Sequence, residues 1–304
     1  MANQKDNISG LLLIDKEQGL TSNQALQDVK YLLNAKKAGH TGSLDPLATG
    51  LLPLCFGEAT KLSCYLLDAD KTYISTFKLG ECTDTGDAEG KITKTREVNV
   101  AREHIEKTMA SMVGSVNQVP PMFSALKKDG TPLYVLARKG VEIEREPRRV
   151  HLYAFNFIEL NGHEMKVSMR CSSGFYVRSL AYDLGELLGC GAHVSKLRRT
   201  SVGTLNIEAA TTIAQLRDIS DLRQKQELLI AADKVLSHMQ SIELNEPQAV
   251  RLFQGQSVPM NGLPANGLVR LYLQPEDKFL GVGLVIQGYS IKPKRLVNPQ
   301  SVNL

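Results

Sequence analysis

Residues 39–57, GHTGSLDPLATGLLPLCFG, constrain this chain more than any other stretch. Four glycines (Gly39, Gly42, Gly50, Gly57) punctuate it, and its single carboxylate, Asp45, directly precedes Pro46. The proline ring presses the preceding residue out of the α region, so Asp45 is expected on extended or turning backbone. Gly42 and Gly50 free the chain on either side to take angles that other residues resist. The segment then becomes apolar at Leu51, Leu52, Leu54 and Phe56. This pattern predicts a shaped loop anchored by a buried strand, presenting one carboxylate to a ligand. A plain capped turn uses the same residue types, and composition leaves both readings open. His40, Thr41, Ser43 and Thr49 surround the aspartate with polar groups. A phosphate loop is excluded, because the Gly-Lys-Ser/Thr ending is missing.

At 304 residues, one large domain and one small domain are the natural division. The five cysteines are odd in number, widely spaced and form no CxxC pair, which predicts reduced thiols, no disulfide framework and no structural zinc. The start, MANQKDNISG, is polar, and no apolar run approaches the roughly 20 residues that span a bilayer. A soluble, cytoplasmic protein is expected. The net charge of +4 decides little, but basic pairs recur at Lys36-Lys37, Lys127-Lys128, Arg138-Lys139, Arg148-Arg149, Arg198-Arg199 and Lys292 to Arg295. Converging on one face, they would track phosphates. There is no Trp and only 6% aromatic content, so a general single-strand binder is disfavoured. A folded RNA read by shape and phosphates fits better.

Along the chain, Leu11 to Ile14 predicts an opening strand. Thr21-Ser22 caps a helix whose apolar positions are Ala25, Leu26, Val29, Leu32 and Leu33. Glu58 to Leu67 reads as helical and carries Lys61. Lys71 to Leu79 alternates as a strand, with Tyr73 on its apolar side. Residues 81–90, ECTDTGDAEG, predict a hairpin connection; their spacing matches no calcium loop. Arg102 to Met112 predicts a helix. Two prolines and a lysine pair then mark a protrusion, with a short helix at 131–139 and a basic close at 145–149. Val150 to Leu160 and His163 to Cys171 form an antiparallel pair. Phe175 to Leu188 reads as a helix with Arg178 in its first turn, where the dipole disfavours a cation, so an anionic partner for Arg178 is expected. His193 to Gly203 reads as a basic connection, and 211–238 as two helices. From Ile242 the texture changes to short strands and turns, a small β domain.

Taken together, these segments resemble the TruB family, the tRNA pseudouridine-55 synthases of bacteria. Gly39 to Gly50 resembles the catalytic motif, with Asp45 at its invariant aspartate. Lys71-Thr72-Tyr73 resembles the second motif, and Cys171 to Gly185 (CSSGFYVRSLAYDLG) the third. Val194 to Arg199 matches the stretch that closes the substrate pocket, and the C-terminal region is similar to a PUA-type RNA-binding domain. Ser43 and the Ser172, Ser173 and Phe175 variants depart mildly from the pattern.

The resemblance implies an α+β pseudouridine-synthase fold, with a mixed, mainly antiparallel sheet flanked by helices. It implies a catalytic domain over 1–240, with an RNA-clamping insertion at about 118–149, and a small PUA-type β-barrel-like domain over 241–304. The implied reaction detaches one uracil from its ribose, rotates it and rejoins it through carbon 5. No cofactor and no metal is implied, and the partner is the T arm of tRNA, bound by a monomer without any membrane. Asp45 acts as a nucleophile or a base, and Arg178 keeps it ionised. Tyr73 stacks on an everted base, and His40, Tyr176 and Leu197 shape the pocket, while Lys61 and Asp87 supply supporting polar contacts. Two other classes compete: a tRNA-binding protein that remodels without chemistry, and a carboxylate-dependent glycosidase or phosphatase. A glycosidase needs two carboxylates, and the central loop supplies one.

Overall fold

Six long strands form the main layer. The computed structural model describes residues 5–299. The strands are β1 (Gly10–Lys16), β2 (Thr49–Phe56), β3 (Lys71–Leu79), β4 (Arg148–Asn161), β5 (Glu164–Cys171) and β6 (Ala192–Val202). Across the sheet they run β1, β2, β6, β3, β5, β4, with Thr211–Thr212 beyond β1 and Gly114–Gln118 beyond β4. Short strands Ala38–His40 and Leu205–Asn206 pair with β2 and β6, making ten strands in all. The β2–β6 and β1–Thr211 pairings are parallel and the others on this path are antiparallel, so the sheet is mixed and mainly antiparallel.

One face of this sheet is mostly apolar. Leu12 and Ile14, Leu52 and Leu54, Tyr73 and Phe77, and Val167 and Met169 all join a single buried cluster. Three helices cover it: α1 (Ser22–Leu32), α2 (Arg102–Ser111) and α3 (Val177–Leu187). They contribute Ala25, Leu26 and Val29, then Ile105 and Met109, then Val177, Leu180, Ala181 and Leu184. Thr21 caps α1 through a capping box with Gln24, as its sequence predicts. A second, five-stranded sheet begins at Gln240 and runs Gln240–Leu244, Gly267–Leu273, Lys278–Ile286, Ser290–Leu296, Val258–Pro259. It encloses its own cluster, including Leu244, Leu271 and Ile291. Leu236, Met239 and Val282 pack with Leu62, and the Asn298 N–H donates to Glu58 at 2.5 Å, joining this sheet to the segment after β2.

Four local readings differ from the fold. The 193–203 segment is not a connection but the central strand β6, lying between β2 and β3. Its cations Lys196, Arg198 and Arg199 mask the alternation, and bulges after Val194 and Arg199 break the period. The 211–238 segment holds three short helices, Ile213–Asp218, Leu222–Glu227 and Ala232–Val235, because Thr212 and Asp221 each cap a new start. Gly114–Gln118 pairs with β4 as an edge strand, an outcome of tertiary pairing that five mostly polar residues do not advertise. Helix Glu246–Phe253 also stands in the C-terminal sheet region, capped by Asn245 with Gln248.

The parallel β2–β6 contact depends on Gly50. Its φ is +101°, and a Cβ there would overlap the Arg199 carbonyl oxygen. Gly50→Ala is expected to lower stability by about 2–4 kcal/mol, read as a lower urea midpoint at unchanged slope. A midpoint equal to wild type would show that the strands do not need this close approach.

Candidate active site

The loop between Ala38–His40 and β2 is built from its own backbone and from the turn that precedes α1. Ala48 N–H donates to the Asp45 carbonyl at 3.0 Å, closing the turn around Pro46. Gly19 N–H donates to the Pro46 carbonyl at 2.8 Å. The Ser22 hydroxyl both accepts from Leu44 N–H at 2.7 Å and donates to the Leu44 carbonyl at 3.0 Å. Lys16 is fully buried, and its ammonium donates to the carbonyls of Glu17 and Leu20 at 2.8 and 2.7 Å, with Pro46 at 3.5 Å. Burial outweighs Asp45 and Glu89 here and brings the Lys16 pKa down to about 8.

Arg178, in the first turn of α3, meets the anion that its unfavourable position demands. Its Nε lies 3.0 Å from Asp45 Oδ2 and 3.6 Å from Asp87 Oδ2. Its Nη1 donates to the Thr85 carbonyl at 3.0 Å and its Nη2 to the Phe123 carbonyl at 2.7 Å. One guanidinium thus ties together the 45 loop, the 84–90 turn and the 119–126 segment. The exposures divide the roles: the Asp45 side chain is 40% accessible, against 6% for Arg178 and 5% for Asp87. Asp45 sits in a crowded cleft but remains reachable. Burial pushes its carboxyl above the ordinary value, Asp87 adds to that, and Arg178 opposes it. Asp87 faces inward, accepting from the Thr85 hydroxyl at 2.6 Å and Glu89 N–H at 3.1 Å.

Tyr73 lies on β3, buried beside this group, and burial raises its phenol pKa while Arg199 pulls it down. Leu197, on β6, is buried next to it, and its carbonyl lies 3.4 Å from the Thr49 hydroxyl. Tyr176 stands immediately before α3 with its backbone bracketed by Gln118, which accepts from Tyr176 N–H at 2.7 Å and donates to its carbonyl at 3.0 Å. Its phenol contacts Ser124 and feels Arg178 and Asp45. His40 is half-buried, its Nδ1 has no hydrogen-bond partner among the described residues, and burial with Arg199 nearby lowers its pKa. Lys61 stands apart: it pairs with Glu58 at 2.7 Å, beside the C-terminal sheet, and no ion pair or hydrogen bond joins it to the Asp45 group.

These residues sit in a chain whose segments match three family models. Residues 30–177 match the TruB family pseudouridylate synthase N-terminal domain, 178–242 the tRNA pseudouridylate synthase B C-terminal domain, and 241–297 the pseudouridine synthase II TruB C-terminal region. The tRNA pseudouridine synthase B of Aeromonas salmonicida is 47% identical over 300 residues, covering 96% of this chain and 94% of the relative. That of Stutzerimonas stutzeri is 46% identical over 297 residues, covering 97% of each. The chain belongs to the TruB family of pseudouridylate synthases. It is therefore an isomerase. A Cbf5–Nop10–Gar1 complex aligns with a TM-score of 0.72 at 23% identity, over 96% of this chain and 86% of that one. An H/ACA RNP bound to a substrate RNA containing 2'-deoxyuridine aligns at 0.70 and 21%, over 96% and 86%. Both share the pseudouridine-synthase fold.

Two buried cations of this TruB-family cleft escape a reading of the sequence. Lys16 ends a strand and looks like a surface lysine. Arg199 sits in a basic run, yet its side chain is 1% exposed and donates to three carbonyls. Glu89, in the turn read as a hairpin connection, accepts from Leu47 N–H and adds a third carboxylate near Asp45. A rule that buried cations need partners would flag Lys16 and Arg199 only after their burial is known.

The balance at Asp45 is directly measurable. Its carboxyl carbon, followed by NMR, is expected to titrate above the ordinary value of 3.8, and further upward in Arg178→Met, because the opposing cation is gone. A midpoint at or below 3.8 in the wild-type protein would contradict this balance.

Proposed function

We propose that this chain isomerises uridine 55 in the T loop of tRNA to pseudouridine, acting as a monomer on the T arm. The observation that carries the reading is the accessible Asp45 carboxylate, 3.0 Å from a buried Arg178 and flanked by the Tyr73 ring. The target base is extruded from its loop at a cost of a few kcal/mol. Tyr73 stacks on the extruded ring, an interaction worth about 1–3 kcal/mol, and Leu197 and Tyr176 close the other walls. His40, with an unpartnered buried nitrogen beside the loop, supports the extruded conformation.

Asp45 then acts in its ionised form, as nucleophile or as base at the sugar. Arg178 keeps that form populated against burial and aims it. The N1–C1' bond breaks, uracil turns, and a C5–C1' bond forms. The proton leaving C5 is balanced by one gained at N1, so no redox partner enters. Asp87 is a second, buried carboxylate on Arg178, 3.6 Å from the same Nε. The 118–149 segment, whose Lys127-Lys128 and Arg148-Arg149 are exposed, clamps the T arm. The C-terminal sheet, from about residue 241, binds RNA with its basic 292–295 strand.

Asp45→Asn is expected to abolish pseudouridine formation on a T-arm stem-loop while leaving RNA affinity within about tenfold, roughly 1.4 kcal/mol. Retained turnover, read by base composition after digestion, would remove Asp45 from the reaction. RNA affinity is also expected to fall steeply with added salt, with a log–log slope of several units. A flat profile would mean that phosphates are not what the basic segments hold.

A further inference from the structure

We propose that Arg199 is a positioning residue for the isomerisation, a single buried guanidinium that holds the Asp45 loop in register with the Tyr73 phenol. The inference rests on the reading of the cleft as a uridine-isomerising site.

Arg199 is among the most deeply buried side chains of the molecule. A buried cation ordinarily faces a carboxylate, yet no carboxylate forms an ion pair with Arg199 among the described residues. Its fork instead spends its donors on backbone. Nε donates to the Leu51 carbonyl at 2.8 Å, Nη2 to Gly42 at 3.2 Å and Nη1 to Ser43 at 3.5 Å. Gly42 and Ser43 lie three and two residues before Asp45, and Leu51 follows the loop on β2. Both ends of the loop are therefore fixed to one planar group.

The other end of the arrangement is Tyr73. In the antiparallel β6–β3 pair, Arg199 is the direct cross-strand partner of Tyr73, so the two side chains leave the sheet on one face. The guanidinium also acts on the phenol, opposing the upward push of burial. Strand β6 approaches β2 so closely at Arg199 that Gly50 has no room for a Cβ. Arg199 thus sits where the loop-bearing strand and the tyrosine-bearing strand are joined. Nothing else described bonds to both the Gly42–Ser43 carbonyls and the Tyr73 side. A lysine, with a compact ammonium in place of a rigid fork, reaches one carbonyl set but does not span the three.

Arg199→Lys in the full chain tests this with a T-arm stem-loop. Misplacement of a reacting group by about 1 Å costs on the order of a hundredfold. The expected result is a fall in kcat of about that size, with KM and RNA Kd within about threefold. In a Tyr73→Phe background the same substitution is expected to cost several-fold less, because the shared geometry is already damaged. Wild-type kcat in Arg199→Lys, or a loss confined to KM, overturns the proposal. Should the lysine variant melt well below wild type, Arg199→Ala with millimolar guanidinium chloride decides. Recovered kcat at unchanged KM supports the role, and no recovery overturns it. A wild-type chain that makes no pseudouridine would instead sink the functional reading and leave the clamp geometry standing.

Discussion

The Asp45 carboxylate lies beside a hydrophobic core, where its charged form needs a cation that water does not replace, and Arg178 is that cation. Its hydrogen bonds reach the 45 loop, Thr85 and Phe123, and an ion pair reaches Asp87. Three segments that are far apart in sequence therefore converge because one guanidinium requires oxygen atoms on every side. Removing a partner from such a pair strands a buried charge, which costs more than the pair itself contributes. This explains why Asp87 is so thoroughly held: it is a second, buried carboxylate on Arg178, independent of what approaches Asp45. The arginine can occupy the first turn of α3 despite the helix dipole because two carboxylates outweigh it.

The sheet order supplies the rest of the geometry. Strand β6 lies between β2, which anchors the Asp45 loop, and β3, which carries Tyr73. A central strand touches both neighbours at once, so Leu197 and Arg199 reach the two halves of the cleft from a single backbone. The parallel β2–β6 contact is short, pairing only Arg198–Arg199 with Thr49–Gly50. On the far side of that contact Arg198 forms a two-point pair with Asp15 at 2.9 and 2.6 Å. Adjacent arginines on one strand point to opposite faces, one to a carboxylate near solvent and one into the core.

Much of this was legible in the sequence where physics is local. The Asp-Pro step, the glycines and the apolar run fix the 39–57 loop and its strand, and alternation places Tyr73 on the buried face. The dipole argument at Arg178 foretells an anion without naming it. What stayed hidden is non-local. Asp87 reads as one carboxylate of a polar turn until Val194 pairs with that turn and tucks it under Arg178. Arg199 reads as half of a surface pair because burial of a cation on backbone carbonyls leaves no mark in composition. The 193–203 strand is obscured by the very cations that do its positioning work. By contrast, the helix at Glu246 carried an ordinary signal, Asn-Glu-Pro-Gln, with a capping side chain and an early proline.

The asymmetry between the two aspartates on Arg178 argues for the chemistry. Two carboxylates near one another invite a two-carboxylate hydrolysis, in which an acid and a base or nucleophile flank the sugar on opposite faces. Here both reach the same nitrogen of one guanidinium, and only Asp45 is accessible. Asp87 accepts through Oδ1 from Thr85 and the Glu89 amide, turns Oδ2 toward Arg178, and at 5% exposure lacks the access to meet a substrate. A sugar entering the cleft meets Asp45, with the exposed Glu89 nearby tied to the Leu47 N–H, and beside them an aromatic ring and apolar walls. In the proposed isomerisation this set of groups is what would hold a detached uracil for rejoining through carbon 5 and keep water from it.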